Sequence, residues 1–357
     1  MLLAAGVLLP ALLIQDTPPP AVDSAPRPRL TALPVVSYSD VTGLQYGATA
    51  LLGFRMGTDS TTRASSLSAY ASRTAKGHTK VYAQYDAWSD GNRARNRVRA
   101  EYMSYPLPFF GIGGGSPEDD EEWYSSGVTT VQLFTQRLVW RSAYVHAGTR
   151  YVRSRLREKV TGGLVAGGML PGGSGSEVLT GELGLVIDSR DRVGATRAGT
   201  WVRVIPSLAS KSAGSDFTFR RLTIDARRYR PLGSGWVFAG QAQYDGITGT
   251  VPFDLMPMIG ADTAMRGYAR GRFRDQHAFT TQGELRSAYW RRIGLVTFAG
   301  AGTVSPRFSA LSGGPWFPSV GVGLRYALVP KDRTNARLDL GIGRGSFGIS
   351  LGIGEAF

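Results

Sequence analysis

The sequence predicts an all-β fold, a 16-stranded antiparallel transmembrane β-barrel, and three observations carry that prediction. Runs of roughly ten residues alternate apolar and polar side chains with a period of two, as a strand does between two environments. Their polar faces hold ionisable groups of both signs along the whole length, where strands of a soluble sandwich are commonly shorter. No apolar run reaches the roughly 18 residues of a spanning helix, whereas tilted strands of about 9 to 11 residues suffice to cross a bilayer.

Composition agrees. The 357 residues are 42% hydrophobic and 19% charged, enough for two soluble domains or one large barrel. The 47 glycines exceed the usual share of roughly 7%, and 15 tyrosines accompany them, which suits strands and tight turns. Cysteine is absent, which excludes disulfides, thiolate metal sites and a cysteine nucleophile. The net charge of +14 invites a nucleic-acid reading, yet the arginines are spread at alternate positions inside the strands instead of gathering on one face. No nucleic-acid partner is expected. A charged lumen and loops facing lipopolysaccharide account for the same total, so outer-membrane lipids and lipopolysaccharide are the expected partners.

Residues 1–15 are expected to be a signal peptide, from the apolar run MLLAAGVLLPALLI, which is too short to span a bilayer. It lacks the usual preceding basic residues and a clean small-x-small cleavage site, and a short buried helix is the alternative. Residues 16–31 form a proline-rich leader. The barrel is expected to occupy 32–357.

Within it, Val81, Ala83, Tyr85 and Ala87 oppose Lys80, Tyr82, Gln84 and Asp86, and Val98, Ala100 and Tyr102 oppose Arg97, Arg99 and Glu101. Leu183, Leu185 and Ile187 oppose Glu182 and Asp188; Leu222, Ile224 and Ala226 oppose Arg221, Thr223, Asp225 and Arg227. Such runs place strands near 32–40, 43–56, 62–73, 78–89, 94–104, 123–136, 138–152, 177–189, 199–211, 216–229, 234–246, 277–290, 293–304, 317–328, 334–343 and 345–357. The even number lets the sheet close without an edge, which matters because each unpaired amide in hydrocarbon costs several kcal/mol. Trp88, Tyr102, Trp140, Tyr151, Trp201, Trp236 and Tyr289 fall near strand ends and suit interfacial girdles. Glycines at 341, 343, 345, 348, 352 and 354 suggest a soft C-terminal edge.

One stretch breaks the pattern. Residues 260–275, GADTAMRGYARGRFRD, are too basic for an apolar core and too glycine-rich for a helix, so they form a long ordered loop. Its interleaved aromatics indicate packing and its arginines a negatively charged partner.

No catalytic or ligand-binding constellation emerges. His78, His146 and His277 lack a local nucleophile motif, the glycine clusters at 111–115 and 172–175 lack a following Lys-Ser/Thr, and the acidic run 118–122 reads as a loop. Neither enzymatic activity, a cofactor nor a metal is expected.

Met265-Arg266-Gly267-Tyr268 followed by Gly271-Arg272-Phe273 resembles the signature loop of the BamA/TamA-type outer-membrane surface-antigen β-barrel superfamily. Four other segments resemble it in the same order: Tyr105-Pro106 with Phe109 to Gly113; Asp188-Ser189-Arg190-Asp191 with Thr196 to Gly199, a DxRD…G turn; Gly283 to Arg286; and Gly321 to Arg325 with Arg337 to Gly341. The last strand, with Leu351, Ile353 and a terminal Phe357, resembles the targeting signal of bacterial outer-membrane barrels, although Glu355 stands where an apolar residue is commoner. The resemblance implies a bacterial outer-membrane location and a loop folded into the lumen. There Arg266, Gly267, Tyr268, Arg272 and Phe273 anchor it, and the acidic partners on the inner wall are Glu284 and Asp339. The turn residues are Asp188, Arg190 and Asp191. It further implies insertion or translocation of proteins or other substrates, with client outer-membrane proteins or a periplasmic partner; the alternative is a passive pore or structural barrel acting with another membrane component. Two departures stand out: Gly300 occupies a position where the family often has an aspartate, and the residues before the first strand are too few for a periplasmic POTRA domain, so the short subgroup without them is expected.

Overall fold

A computed structural model of the chain describes residues 28–357 apart from 40–42, 58, 60, 90, 118–119, 159–161, 261–263 and 330–333. The expected signal peptide and the leader up to residue 27 lie outside the described residues. The strands are β1 (Arg29–Ser39), β2 (Gly43–Phe54), β3 (Ser65–Thr74), β4 (Thr79–Ser89), β5 (Ala94–Phe109), β6 (Glu122–Trp140), β7 (Ala143–Glu158), β8 (Ser176–Asp188), β9 (Gly199–Ala209), β10 (Phe219–Gly233), β11 (Trp236–Gly249), β12 (Met258–Ile259), β13 (Phe273–Arg274), β14 (His277–Arg286), β15 (Ile293–Ser305), β16 (Phe317–Val329), β17 (Thr334–Gly343) and β18 (Ser346–Ile353). Sixteen of them form one antiparallel sheet in chain order, β1 to β11 and then β14 to β18, while β12 and β13 pair with each other inside the connection 250–276.

Alternation sorts the side chains as the period-two pattern requires. On β8, Leu183, Leu185 and Ile187 are exposed at 63, 58 and 44%, whereas Val178 and Val186, of the other parity, are buried. The inward rows bury charged groups in ion pairs. Asp86 lies 2.8 Å from Arg95 and 2.5 Å from Arg97, and Asp225 lies 2.6 Å from Arg227. An outward apolar row and an inward charged one are the inverse of a soluble protein and the normal state of a barrel in lipid.

Contacts between strands far apart in the sheet show that it curls on itself. Arg63, after β2, pairs with Asp188 at the end of β8 at 2.7 Å. Trp88 of β4, Tyr144 of β7, Val186 of β8 and Ile205 of β9 share one buried cluster. The long connections after β5, β7, β11 and β15 all leave from one end, and the turns 141–142 and 234–235 lie at the other. The first strand begins, and the last finishes, at this short-turn end.

Four expectations need correction. β1 starts at Arg29, inside the stretch expected as leader. β5 runs on to Phe109 through Pro106 and Pro108, because beyond Ser104 it pairs only with β6, and a strand paired on one side tolerates proline. β10 continues to Gly233, past the expected end at 229, so Arg230 lies in the strand. Trp88 and Trp201 belong to inward rows: Arg63 and Arg95 stand 4.8 and 5.0 Å over the first, Arg227 4.6 Å over the second. Trp140, Trp236 and Tyr289 are exposed, as girdle residues are.

Candidate functional site

The connection 250–276 lies across the polar face of the sheet. At its base the two-residue ladder of β12 and β13 is tied down twice, by Arg274 Nη1 donating to the Phe253 carbonyl (3.1 Å) and by the Gly113 amide donating to the Arg274 carbonyl (2.7 Å). Arg272 donates to the Ser116 carbonyl at 3.0 Å and stands 5.1 Å over the ring of Phe110. Phe273 stacks on Phe317 with centroids 3.6 Å apart, inside a cluster with Ile259, Met265 and Tyr268. Tyr268 Oη donates to the Pro318 carbonyl (2.8 Å) and accepts from the Arg344 amide (2.7 Å). The segment therefore reaches from the end of β5 to the turn after β17.

Arg266 of this connection is 3% exposed. Its Nη2 lies 2.6 Å from Glu284 Oε1 on β14, in ionic contact though not aligned as a hydrogen bond, and its Nη1 donates to Asp339 Oδ2 on β17 at 2.8 Å. The guanidinium carbon rests 3.6 Å over the ring of Phe298. An apolar ring face thus underlies the charge beside Gly300, where the resemblance leads one to look for a third acid. The two carboxylates have further partners: Arg286 Nη2 is 2.7 Å from Glu284, and Arg325 Nη1 donates to Asp339 at 2.5 Å. Both arginines turn to Glu355, Arg325 at 2.8 Å and Arg286 at 3.8 Å. The order Arg266, Glu284, Arg286, Glu355, Arg325, Asp339 closes into a ring of alternating charge in which Glu284 and Glu355 each touch two guanidiniums and Asp339 three, Arg337 lying 3.7 Å from it. Buried ions are tolerated when each is multiply paired, and this ring meets that condition.

The ring explains the end of the chain. β18 stops at Ile353, Gly354 donates its amide to the Asn335 carbonyl, and Glu355 accepts from Asn335 Nδ2 at 2.8 Å. Ala356 and Phe357 then pack with Tyr229 and Ala239 on the polar face, and Arg286 Nη2 donates to the Phe357 carbonyl at 2.9 Å. Phe357 is thus buried inside and not carried at the lipid-facing end of a strand; Leu351 and Ile353 do face outward.

Glycines let the loop approach. A Cβ on Gly341 would lie 2.7 Å from the Gly267 nitrogen, and one on Gly343 2.3 Å from the Tyr268 ring. These positions accommodate the loop, which is a different reason from a soft edge. Gly267 has φ +101°, and its own Cβ would come 2.9 Å from the Ile342 backbone. Gly267→Ala therefore combines a left-handed penalty of about 1–2 kcal/mol with an immovable clash. The expected result is a lower unfolding temperature and faster proteolysis of 260–275, while Gly313→Ala, whose Cβ would meet open space, changes neither.

The turn residues form a separate cluster at the other end. Asp188 accepts from Arg190 Nε and Nη2, both at 2.9 Å, and Asp191 accepts from the amides of Arg197 (3.0 Å) and Ala198 (3.3 Å). His146 lies inward, 3.3 Å from both Gln136 and Glu182, a structural arrangement.

Asp254, in the connection between β11 and β12, is half-buried, with its Oδ1 enclosed and lacking a hydrogen-bond partner. Burial pushes its carboxyl above the usual range, against the pull of Arg274. A raised folded-state value means that its contribution to stability is complete below the unfolded value of about 3.9 and is lost as pH rises through the folded one. Asp254→Asn should therefore raise the unfolding temperature at neutral pH and leave it little changed near pH 3, read by thermal melts at both.

With this geometry in place, similarity to known proteins decides the family. A family model for the Omp85 superfamily domain matches residues 37–357. The chain belongs to the Omp85 superfamily. Its place is accordingly the bacterial outer membrane, and Omp85 barrels are non-enzymatic. Among solved structures, the chain is similar to BamA from Haemophilus ducreyi lacking POTRA domains 1–3 (17% identity, TM-score 0.59, covering 92% of this chain and 69% of that one). It is also similar to CdiB from Acinetobacter baumannii (12%, 0.54, 91% and 59%) and CdiB from Escherichia coli (10%, 0.57, 91% and 61%). At these identities the likeness is one of fold. The chain spans about three fifths of the CdiB chains. No curated protein matches its sequence.

Sequence reading reached Arg266, Glu284 and Asp339, which the structure brings together, but missed Arg286, Arg325 and Glu355. A signal was present: residues 284 and 286 share a strand face, residues 325 and 337 are of the inward parity on neighbouring strands, and Glu355 is a lone acid in an apolar run.

Proposed function

We propose that this Omp85 barrel takes part in insertion or translocation of proteins or other substrates at the outer membrane, with the junction of β1 and β18 as its working edge. The observation that carries the reading is the state of that junction. Among the described residues, β1 pairs only with β2 and β18 only with β17, and β18 ends early because Gly354–Phe357 turn inward. An unpaired strand edge is a template for another strand. Client outer-membrane proteins are the partners such an edge suits, delivered from the periplasmic, short-turn end. The ring around Arg266 serves as the loop anchor that stiffens β14–β18 beside the edge.

The chain has no cysteine, which gives a clean test. Ala32→Cys and Leu351→Cys are introduced together and joined by a short bismaleimide. The bridged barrel is expected to lose insertion of a client barrel into vesicles, while either single variant keeps it; undiminished insertion with the bridge in place overturns the reading.

A second reading, a passive pore or structural barrel, draws on the loop that crosses the interior from Phe110 to Gly341. In planar bilayers it expects a nearly closed wild type and a large steady pore after deletion of residues 262–275. Silence from both, with a folded barrel, leaves the edge as the only site of action.

A further inference from the structure

We infer that the inner wall between β7 and β10 contains a binding site for a tetrahedral oxyanion of the phosphate class. A largely polar cavity of about 220 Å³ lies there, lined by Arg150, Thr180, Arg203, Ser207 and Arg221 and roofed by Leu255 of the long connection. It has room for one such anion and a few waters.

The charges around it are unevenly satisfied. Asp245 is taken by Arg221, whose Nε donates to Oδ1 at 2.7 Å, and by Thr223 at 3.4 Å; Arg221 Nη1 also donates to the Leu255 carbonyl at 3.3 Å. Glu182 is 3.3 Å from His146 Nε2. Asp225, directly across the ladder from Arg203, already accepts from Arg227 (3.0 and 2.6 Å), Gln241 (3.0 Å) and Gln243 (3.1 Å). Arg203 is left without a contact ion pair. Its Nε is buried without a hydrogen-bond partner, no ion pair reaches it among the described residues, and its nearest aromatic neighbour is the Trp201 ring at 5.8 Å. A half-buried guanidinium whose nearest acid, Asp225, is already held in contact by Arg227 is incompletely compensated, and its planar fork of donors matches two oxygens of a phosphate group. The hydroxyls of Thr180 and Ser207 supply neutral donors for the remaining oxygens. A halide would gain nothing from the fork.

The full chain, refolded in a phosphate-free detergent, is titrated calorimetrically with inorganic phosphate and separately with glycerol 3-phosphate, against sodium chloride at equal ionic strength. Saturable binding of either probe is expected, weakened about tenfold or more in Arg203→Gln through loss of a charged hydrogen-bond pair, and unchanged in Arg230→Gln on the outer face. Preference for inorganic phosphate assigns the site to a free oxyanion, and preference for the ester to a phosphorylated headgroup or sugar. Thermal melts supply an independent reading: without phosphate Arg203→Gln should melt at or above wild type, because the acid across from it, Asp225, is already held by Arg227, and with phosphate below it. Absence of saturable binding to wild type, or equal binding by Arg203→Gln, overturns the proposal and leaves Arg203 a hydrated arginine. Should that variant not refold, Thr180→Val with Ser207→Ala must weaken phosphate binding, and unaltered affinity there overturns it too.

Discussion

Arg266→Ala should destabilise the barrel by about 3–5 kcal/mol, the usual cost of removing one member of a buried ion pair, whereas Arg230→Ala should stay within about 0.5 kcal/mol. The difference follows from burial. Arg266 is enclosed between Glu284 and Asp339 over the Phe298 ring, and Arg230 is exposed on β10. With Arg266 gone, Glu284 keeps Arg286 and Asp339 keeps Arg325 and the more distant Arg337, so the barrel should still fold; what is lost is the tie between β14, β17 and the connection 250–276. Arg266→Lys should recover less than half of the loss, because a single ammonium cannot reach both acids in the fork geometry. The measurement is heat-modifiability on gels across a temperature series, supported by limited proteolysis of 260–275. Equal melting of Arg266→Ala and Arg230→Ala refutes the anchor.

Much of this was legible in the sequence because membrane barrels obey few rules. With lipid outside and water or charge inside, side-chain parity is set by period two, so the inward positions of Glu284 and Asp339 could be assigned from their neighbours alone. Local rules were also misleading. The prolines at 106 and 108 suggest a strand end, yet β5 continues because one of its sides has no neighbour there. Trp88 and Trp201 look like interfacial residues by position, but cation–π stacking on arginines holds them inside. The glycines at 341 and 343 read as weak strand residues until the loop that fills their missing side chains is in view. These are tertiary facts, and no periodicity encodes them. Glu355 is the sharpest example. As the last strand's odd acid it looked like a departure from a pattern, and its reason lies in Arg325 and Asn335, 30 and 20 residues earlier.

Glu355 also carries the second large effect. Glu355→Ala leaves Arg286 and Arg325 buried with one carboxylate each, frees the Asn335 amide, and removes the force that turns Gly354–Phe357 away from the sheet edge. A loss of about 3 kcal/mol is expected, smaller after Glu355→Gln, which keeps an acceptor for Asn335. Because the ring is closed, the effect should not stop at the C-terminal segment. Arg286 and Arg325 each contact both Glu355 and an acid that holds Arg266, so a change at residue 355 alters the field at the loop. The Arg266→Ala, Glu355→Ala pair is therefore expected to be non-additive by about 1–3 kcal/mol, as found for residues sharing one network. Removing one of each sign also restores charge balance among the remaining four groups, so the double variant should be more stable than the sum of the singles. Strict additivity would mean that the loop and the last strand are held independently, and the junction of β1 and β18 would then have no path by which the loop could stiffen or release it.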